Sequence, residues 1–174
     1  MSGIAIMTDS NCGIMPSDAD AYGIYVLPMP VIIDGETYYE GINITLDEFY
    51  KKQSTGAVIS TSQPSPGDVT AMWDMILASH DELVFIPMSS GLSNTCQTAL
   101  ILAEDEPYKG RVYVVNNHRI SVTQAMSVLD AKALAGQGHT AGEIKEILEK
   151  ESLDATIYIA VNTLEYLKKG GRIT

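Results

Sequence analysis

No lysine or arginine occurs among the first 50 of the 174 residues, and the whole chain carries a net charge of −11. Affinity for nucleic acid rests on a basic footprint, so this balance argues against a nucleic-acid partner and against an anionic membrane surface. Cysteine is scarce: Cys12 and Cys96 stand alone, without the spacing of a metal site or a disulfide scaffold, and reduced thiols in a cytoplasmic setting are expected. His80, His118 and His139 share no metal-ligand spacing either. Neither G-x-G-x-x-G nor a P-loop lysine occurs, which removes the usual nucleotide fingerprints. No metal and no cofactor is therefore expected. Leu83 to Ala103 is uncharged and long enough to span a bilayer, but Ser89, Ser90, Gly91, Ser93, Asn94, Thr95, Gln97 and Thr98 interrupt it, so no transmembrane segment is expected. The start, "MSGIAIMTDS", has no basic stretch before its apolar run, and a signal peptide is not expected.

What is present is an ordinary globular balance, 45% apolar and 19% charged, in a chain long enough for one domain with a substantial core. Short apolar runs at Ile4–Met7, Leu83–Pro87, Val112–Val115 and Thr156–Val161 read as buried strands. Tyr25–Ile33 and Glu36–Tyr39 flank Asp34-Gly35, a hairpin signal. Helices are expected over roughly 46–53, 66–78, 93–105, 119–136, 141–151 and 163–169. Their starts are marked by the capping boxes Thr45…Glu48 and Thr140…Glu143 and by Ser65-Pro66 with Asp68 in the first turn. Strands alternating with helices predict a three-layer α/β/α fold with a mainly parallel sheet. The ending "NTLEYLKKGGRIT" runs from a helix through Gly170-Gly171 and then stops, which suggests one domain of a longer protein or a product lacking a second domain.

In open α/β sheets ligands bind beyond the carboxyl ends of the strands. Polar clusters fall at such ends: Thr8-Asp9-Ser10, Thr61-Ser62-Gln63, Ser89 to Asn94 and Asn116-Asn117-His118. Each taken singly reads as capping and turn chemistry; together they point to a site. Gly91 permits close backbone approach, a helix beginning near Ser93 directs N–H groups into the cleft, and the Ser93 and Thr61 hydroxyls donate without adding charge. Such a set suits a carboxylate better than a nucleotide. Gly91-Leu92-Ser93-Asn94-Thr95 lacks the second glycine of a nucleophile elbow. With His118 as base, Ser93 still leaves a serine acyl hydrolase as an alternative, and an interaction scaffold with a vestigial pocket is a third.

The segments "IAIMTDSNCGI" (4–14), "TSQPSPGDV" (61–69), "SSGLSNTCQTA" (89–99) and "NTLEYLKKGGRI" (162–173) together resemble the DegV family of bacterial fatty-acid-binding proteins. The resemblance implies a non-enzymatic protein that binds one long-chain fatty acid, with no catalytic residue of its own, and that in some members presents it to a separate fatty acid kinase. It implies Thr61 and Ser93 as the carboxylate-binding hydroxyls, supported by Ser62, Gly91, Asn94, Asp9 and Ser10. Residues 1–162 would form the N-terminal α/β lipid-binding domain. Residues 163–174 would form a linker helix and the start of a second domain, which in relatives adds a histidine to the head-group network. If that domain is absent, self-association through 163–174 or a disordered tail is expected. A long acyl tail needs a dry lining, and Met29, Ile33, Met72, Met75 and Met88 are candidates, because methionine adapts to irregular shapes; ordinary core packing is the alternative reading of each.

Overall fold

The computed structural model describes residues 3–173. Met1, Ser2 and Thr174, at the outer ends of the two expected units, lie outside the described residues. The strands are β1 (Ile4–Asp9), β2 (Tyr25–Leu27), β3 (Pro30–Ile33), β4 (Glu36–Tyr39), β5 (Ile59–Thr61), β6 (Glu82–Ile86) and β7 (Val112–Val114). The helices are α1 (Ala19–Tyr22), α2 (Leu46–Ser54), α3 (Pro66–Leu77), α4 (Thr95–Leu102), α5 (Val122–Gly136), α6 (Ala141–Lys150) and α7 (Glu165–Lys169).

Alternation along the strands builds the layers. In β1, Ile6 faces one core with Val84 and Ile86 of β6, and that core is closed by Val128 and Ala131 of α5 and Ile144 and Leu148 of α6. Ala5 and Met7 face the other side, with Leu83 and Phe85 of β6, Val69, Trp73 and Ile76 of α3, and Cys96 and Ala99 of α4. A parallel sheet in the order β2-β1-β6-β7 thus lies between two helical layers, the three-layer α/β/α arrangement expected. Trp73 anchors the second core: it is fully buried, edge-on to Phe85 and Tyr108 at ring-centroid distances of 6.2 and 5.1 Å.

A second, antiparallel sheet has the order β4-β3-β5. Its hairpin turns on Asp34-Gly35, with φ of 52° and 87°, the left-handed pair that a two-residue turn requires between twisted strands. Asp34 also binds the segment leading into β5, donating from its N–H to the Val58 carbonyl and accepting the Val58 N–H at its side chain, both at 2.9 Å. Capping boxes close reciprocally at Thr45/Glu48, Ser65/Asp68 and Thr140/Glu143.

Four expectations need correction. Tyr25–Ile33 is not one strand: Pro28 and Pro30 supply no N–H to a ladder, so β2 ends at Leu27 and the chain crosses to the second sheet as β3. Thr156–Val161 forms no strand. It meets neither sheet, and Tyr158 and Ile159 stand 92% and 60% exposed; an apolar run becomes a strand only where a partner edge receives its backbone. The helix expected from 93 begins at Thr95, and the one expected from 119 begins at Val122. In both places the preceding residues cap the first turn from outside it: Asn94 and Ser121 accept the Thr98 and Ala125 N–H groups at their carbonyls. β5 had no counterpart in the sequence reading.

Candidate functional site

The winding of the parallel sheet reverses between β1 and β6, since β2 lies beyond one and β7 beyond the other. That reversal is where open α/β sheets part their loops and admit ligands. The segments meeting there are Thr8-Asp9-Ser10, the loop from Met88 to Asn94, and the loop from Asn116 to Ser121.

Asp9 organises them. It is fully buried. Its Oδ2 accepts the Met88 N–H at 2.7 Å, and its Oδ1 accepts the Asn11 backbone and side-chain N–H groups and the Gln124 Nε2–H, each at 3.1 Å. Burial pushes its carboxyl above the usual range, and the Met88, Gln124 and Asn11 bonds pull it back. Ser10 Oγ accepts the Met29 N–H at 3.1 Å, which ties the end of β2 to β1. Asp9 and Ser10, expected as supporting residues, thus fix the backbone at the ends of β1, β2 and β6.

In the second loop, Ser89 is buried and its carbonyl accepts the N–H groups of Leu92 and Ser93. Ser93 Oγ accepts the Thr95 N–H at 3.2 Å and lies 2.9 Å from Thr95 Oγ1. When the Thr95 hydroxyl donates in that pair, the Ser93 hydrogen is free for an anion. Asn94 precedes α4 with its side chain exposed and makes no capping bond. A Cβ at Gly91 would meet Ser89 Oγ at 3.5 Å, an ordinary contact, so any need for glycine there would come from a ligand rather than from the chain.

Thr61 and Ser62 are exposed at the end of β5. Thr98 Oγ1 donates to Gln63 Oε1 at 3.3 Å, which holds the 61–63 segment against the first turn of α4, beyond Ser93. Arg172 Nη2 donates to Thr61 Oγ1 at 3.2 Å, and this leaves the threonine's own hydrogen free. His118 is exposed, with φ of 53°, and among the described residues no hydrogen bond joins it to Ser93. Cys96 and Cys12 are buried and unpaired, and burial pushes the Cys96 thiol up to about 11, which leaves it inert as a nucleophile. No group of residues able to hold a metal occurs among the described residues.

Beside the carboxyl end of β2 lies an open cleft of about 390 Å³, lined by Leu27, Pro28, Tyr39, Ile42, Asp68, Ala71 and Met72. That volume falls within the roughly 300–1,000 Å³ of small-molecule sites; a smaller cavity of about 130 Å³ beside α2 falls below it. Of the expected tail-lining residues, Met72 borders the larger cleft. Met29, Ile33 and Met88 are buried, and Met75 is 56% exposed and lines neither cavity. Gln63 stands in one of the polar clusters visible in the sequence, whereas no role is expected from the sequence for Thr95, Gln124 or Arg172. Gln124 carried a signal: it shares the inward face of α5 with Val128 and Ala131, and a polar residue on an apolar face needs a reason.

No helix among the described residues is long and apolar enough to cross a membrane. Residues 3–174 match the family model described as "Uncharacterised protein, DegV family". A DegV domain-containing protein of Caldanaerobacter subterraneus is 33% identical over 174 residues, covering 100% of this chain and 62% of that protein. One of Deinococcus radiodurans is 32% identical over 171 residues, covering 98% and 60%. Among solved structures, a DegV family protein from Thermus thermophilus, described by its fatty acid binding, superposes with a TM-score of 0.85 at 34% identity, over 97% of this chain and 60% of that one. DegV from Bacillus subtilis, a fatty acid binding protein, gives 0.81 at 25% identity, over 98% and 61%. The chain spans about three fifths of the length of the relatives it matches.

Proposed function

The chain belongs to the DegV family, and from that premise we propose that it binds a long-chain fatty acid, with the carboxylate at Ser93 and Thr61 and the acyl tail in the cleft beside Met72. The observation that carries this reading is the join between two segments far apart in sequence. The Gln63–Thr98 bond joins the segment that carries Thr61 to the first turn of α4, the helix that follows the Ser93 loop, and α3, which follows Thr61 in the chain, borders a largely apolar cleft of sufficient volume. Two hydroxyl donors suit a carboxylate, and the exposed Arg172 guanidinium, which donates to Thr61 Oγ1, brings positive charge beside that hydroxyl. Each CH₂ withdrawn from water adds about 0.8 kcal/mol, so the tail supplies most of the affinity and the hydroxyls supply orientation.

Thr61 and Ser62 are exposed, so the head-group side is open to solvent. There a separate kinase, the partner that the family resemblance implies, would reach the carboxylate. Supporting Ser62, Gly91 and Asn94 belong to this rim. A hydrolase built on Ser93 and His118 has no observation in its favour. Purifying the chain, extracting it into solvent and analysing the extract by mass spectrometry tests the proposal. A stoichiometric fatty acid is expected. An empty protein that fails to take up added stearate would overturn the reading, and ester turnover abolished by Ser93→Ala would replace it with the hydrolase.

A further inference from the structure

Asp9 and Gln124 are costly residues to bury. Asp9 has no cationic partner among the described residues, although it is completely enclosed. Gln124 is also enclosed, and its Oε1 has no protein partner. An apolar residue of similar length would avoid that orphaned acceptor. What Gln124 contributes is its amide donor: Nε2–H reaches Thr8 Oγ1 at 3.0 Å, Asp9 Oδ1 at 3.1 Å and the Ile86 carbonyl at 3.3 Å. These acceptors lie at the ends of β1 and β6, the two strands that flank the winding reversal. Asp9 in turn takes the N–H of Met88, the first residue of the loop that leads to Ser93.

The same three loops are tied a second time through backbone. Ser89 donates to the Arg119 carbonyl at 2.8 Å, and Ser121 donates to the Asn11 carbonyl at 3.0 Å. Ser121 holds φ 57° and ψ −135°, a conformation that L-residues rarely adopt and that persists only where the surroundings over-determine it. A ring of bonds therefore joins the turn after β1, the loop after β6 and the loop before α5, with the Asp9 carboxylate at its centre. Asp9 and Gln124 themselves are enclosed, so they act on a ligand only through the loops that the ring holds.

We infer that Asp9 and Gln124 are positioning residues for the head group: through the Met88 N–H they hold the 88–93 loop so that the Ser93 hydroxyl faces the carboxylate. The inference rests on the proposed role of Ser93. Replacing Asp9 by Asn puts an N–H₂ group against either the Met88 N–H or the donors at Oδ1, so the loop is released at one end while the shape of the core is kept. Gln124→Met removes the donors at nearly constant length. The fraction of molecules with Ser93 correctly placed falls, and apparent affinity falls with that fraction.

The test compares stearate with stearyl alcohol, which shares the tail and lacks the carboxylate. A merely structural role lowers both affinities together, whereas a positioning role lowers the acid-to-alcohol ratio. The expected drop in that ratio is about fivefold or more for Asp9→Asn and for Gln124→Met, with little further drop when either is combined with Ser93→Ala, because all act on one element. Should Asp9→Asn not fold, Gln124→Met carries the measurement. If Ser93→Ala lowers the ratio and the folded Asp9 or Gln124 variants do not, the positioning role is wrong and the head-group reading stands. If Ser93→Ala leaves the ratio unchanged, the head-group reading itself has failed.

Discussion

Ala71 sits on α3 with its side chain exposed and borders the 390 Å³ cleft together with Met72, Leu27 and Ile42. Ala71→Phe places a ring in that cleft and leaves both cores untouched, since neither includes Ala71. If the acyl tail lies there, the ring displaces about three methylenes, and at about 0.8 kcal/mol each the loss is about 2.4 kcal/mol, or about 60-fold in Kd. The loss should be the same for stearate and for stearyl alcohol, because the ring opposes only the tail. Calorimetric titration of both ligands reads the effect, and a urea melt controls for folding. A substitution at an exposed helix position should shift unfolding free energy by less than about 1 kcal/mol. An Ala71→Phe protein that melts like the parent and still binds stearate as tightly would show that the tail lies elsewhere.

The other predictions concern the head group, the caps and the exposed end of the chain. Ser93→Ala and Thr61→Val should each weaken stearate binding by about 1.5–3 kcal/mol, the value of a hydrogen bond to a charged acceptor, with stearyl alcohol affected less; equal losses for both ligands would count against the assignment. Thr140→Ala should cost about 1 kcal/mol in urea denaturation at neutral pH. The Thr140 backbone N–H, followed by its hydroxyl, holds the Glu143 carboxyl below the usual glutamate range, and Thr45 does the same for Glu48. Because the folded pKa is depressed, this stabilisation is complete above the unfolded value of about 4.3 and disappears as pH falls through the folded value. The loss of stability caused by Glu143→Gln should therefore shrink as pH falls below the unfolded value, and a loss independent of pH would refute the carboxylate's part in the box. Leu153, Tyr158, Ile159 and Leu164 are more than half exposed, and apolar surface of this kind recruits partners. Sedimentation should show concentration-dependent association that Tyr158→Ser with Ile159→Ser reduces; a monomer at every concentration would dispose of it.

The parts of the fold that depend on neighbouring residues were legible in the sequence. Asp34-Gly35 announces a left-handed turn by its own chemistry, and the capping boxes at Thr45 and Thr140 need only residues three apart. The parallel core strands Leu83–Pro87 and Val112–Val115 could be read because helices cover both faces and leave their residues apolar. Thr156–Val161 has the same apolar character and is no strand, since pairing depends on an edge that the run itself does not encode. Pro28 and Pro30 mark the break between β2 and β3 by removing two ladder donors, within an otherwise continuous apolar run. At the site, the clustering of hydroxyls and their suitability for a carboxylate could be read from strand ends, whereas the fatty acid as the expected ligand came from family resemblance. The Asp9–Gln124 bond spans 115 residues. No local pattern reports such a contact beyond the misplaced polarity of Gln124 on an apolar helix face.

The most direct measurement is a crystal structure of this chain grown with stearic acid. The account predicts a carboxylate oxygen at hydrogen-bond distance, about 2.5–3.0 Å, from both Ser93 Oγ and Thr61 Oγ1, with the tail running into the cleft beside Met72 and Ala71. A tail bound instead against the exposed 153–166 segment, or a carboxylate that touches neither hydroxyl, would contradict it.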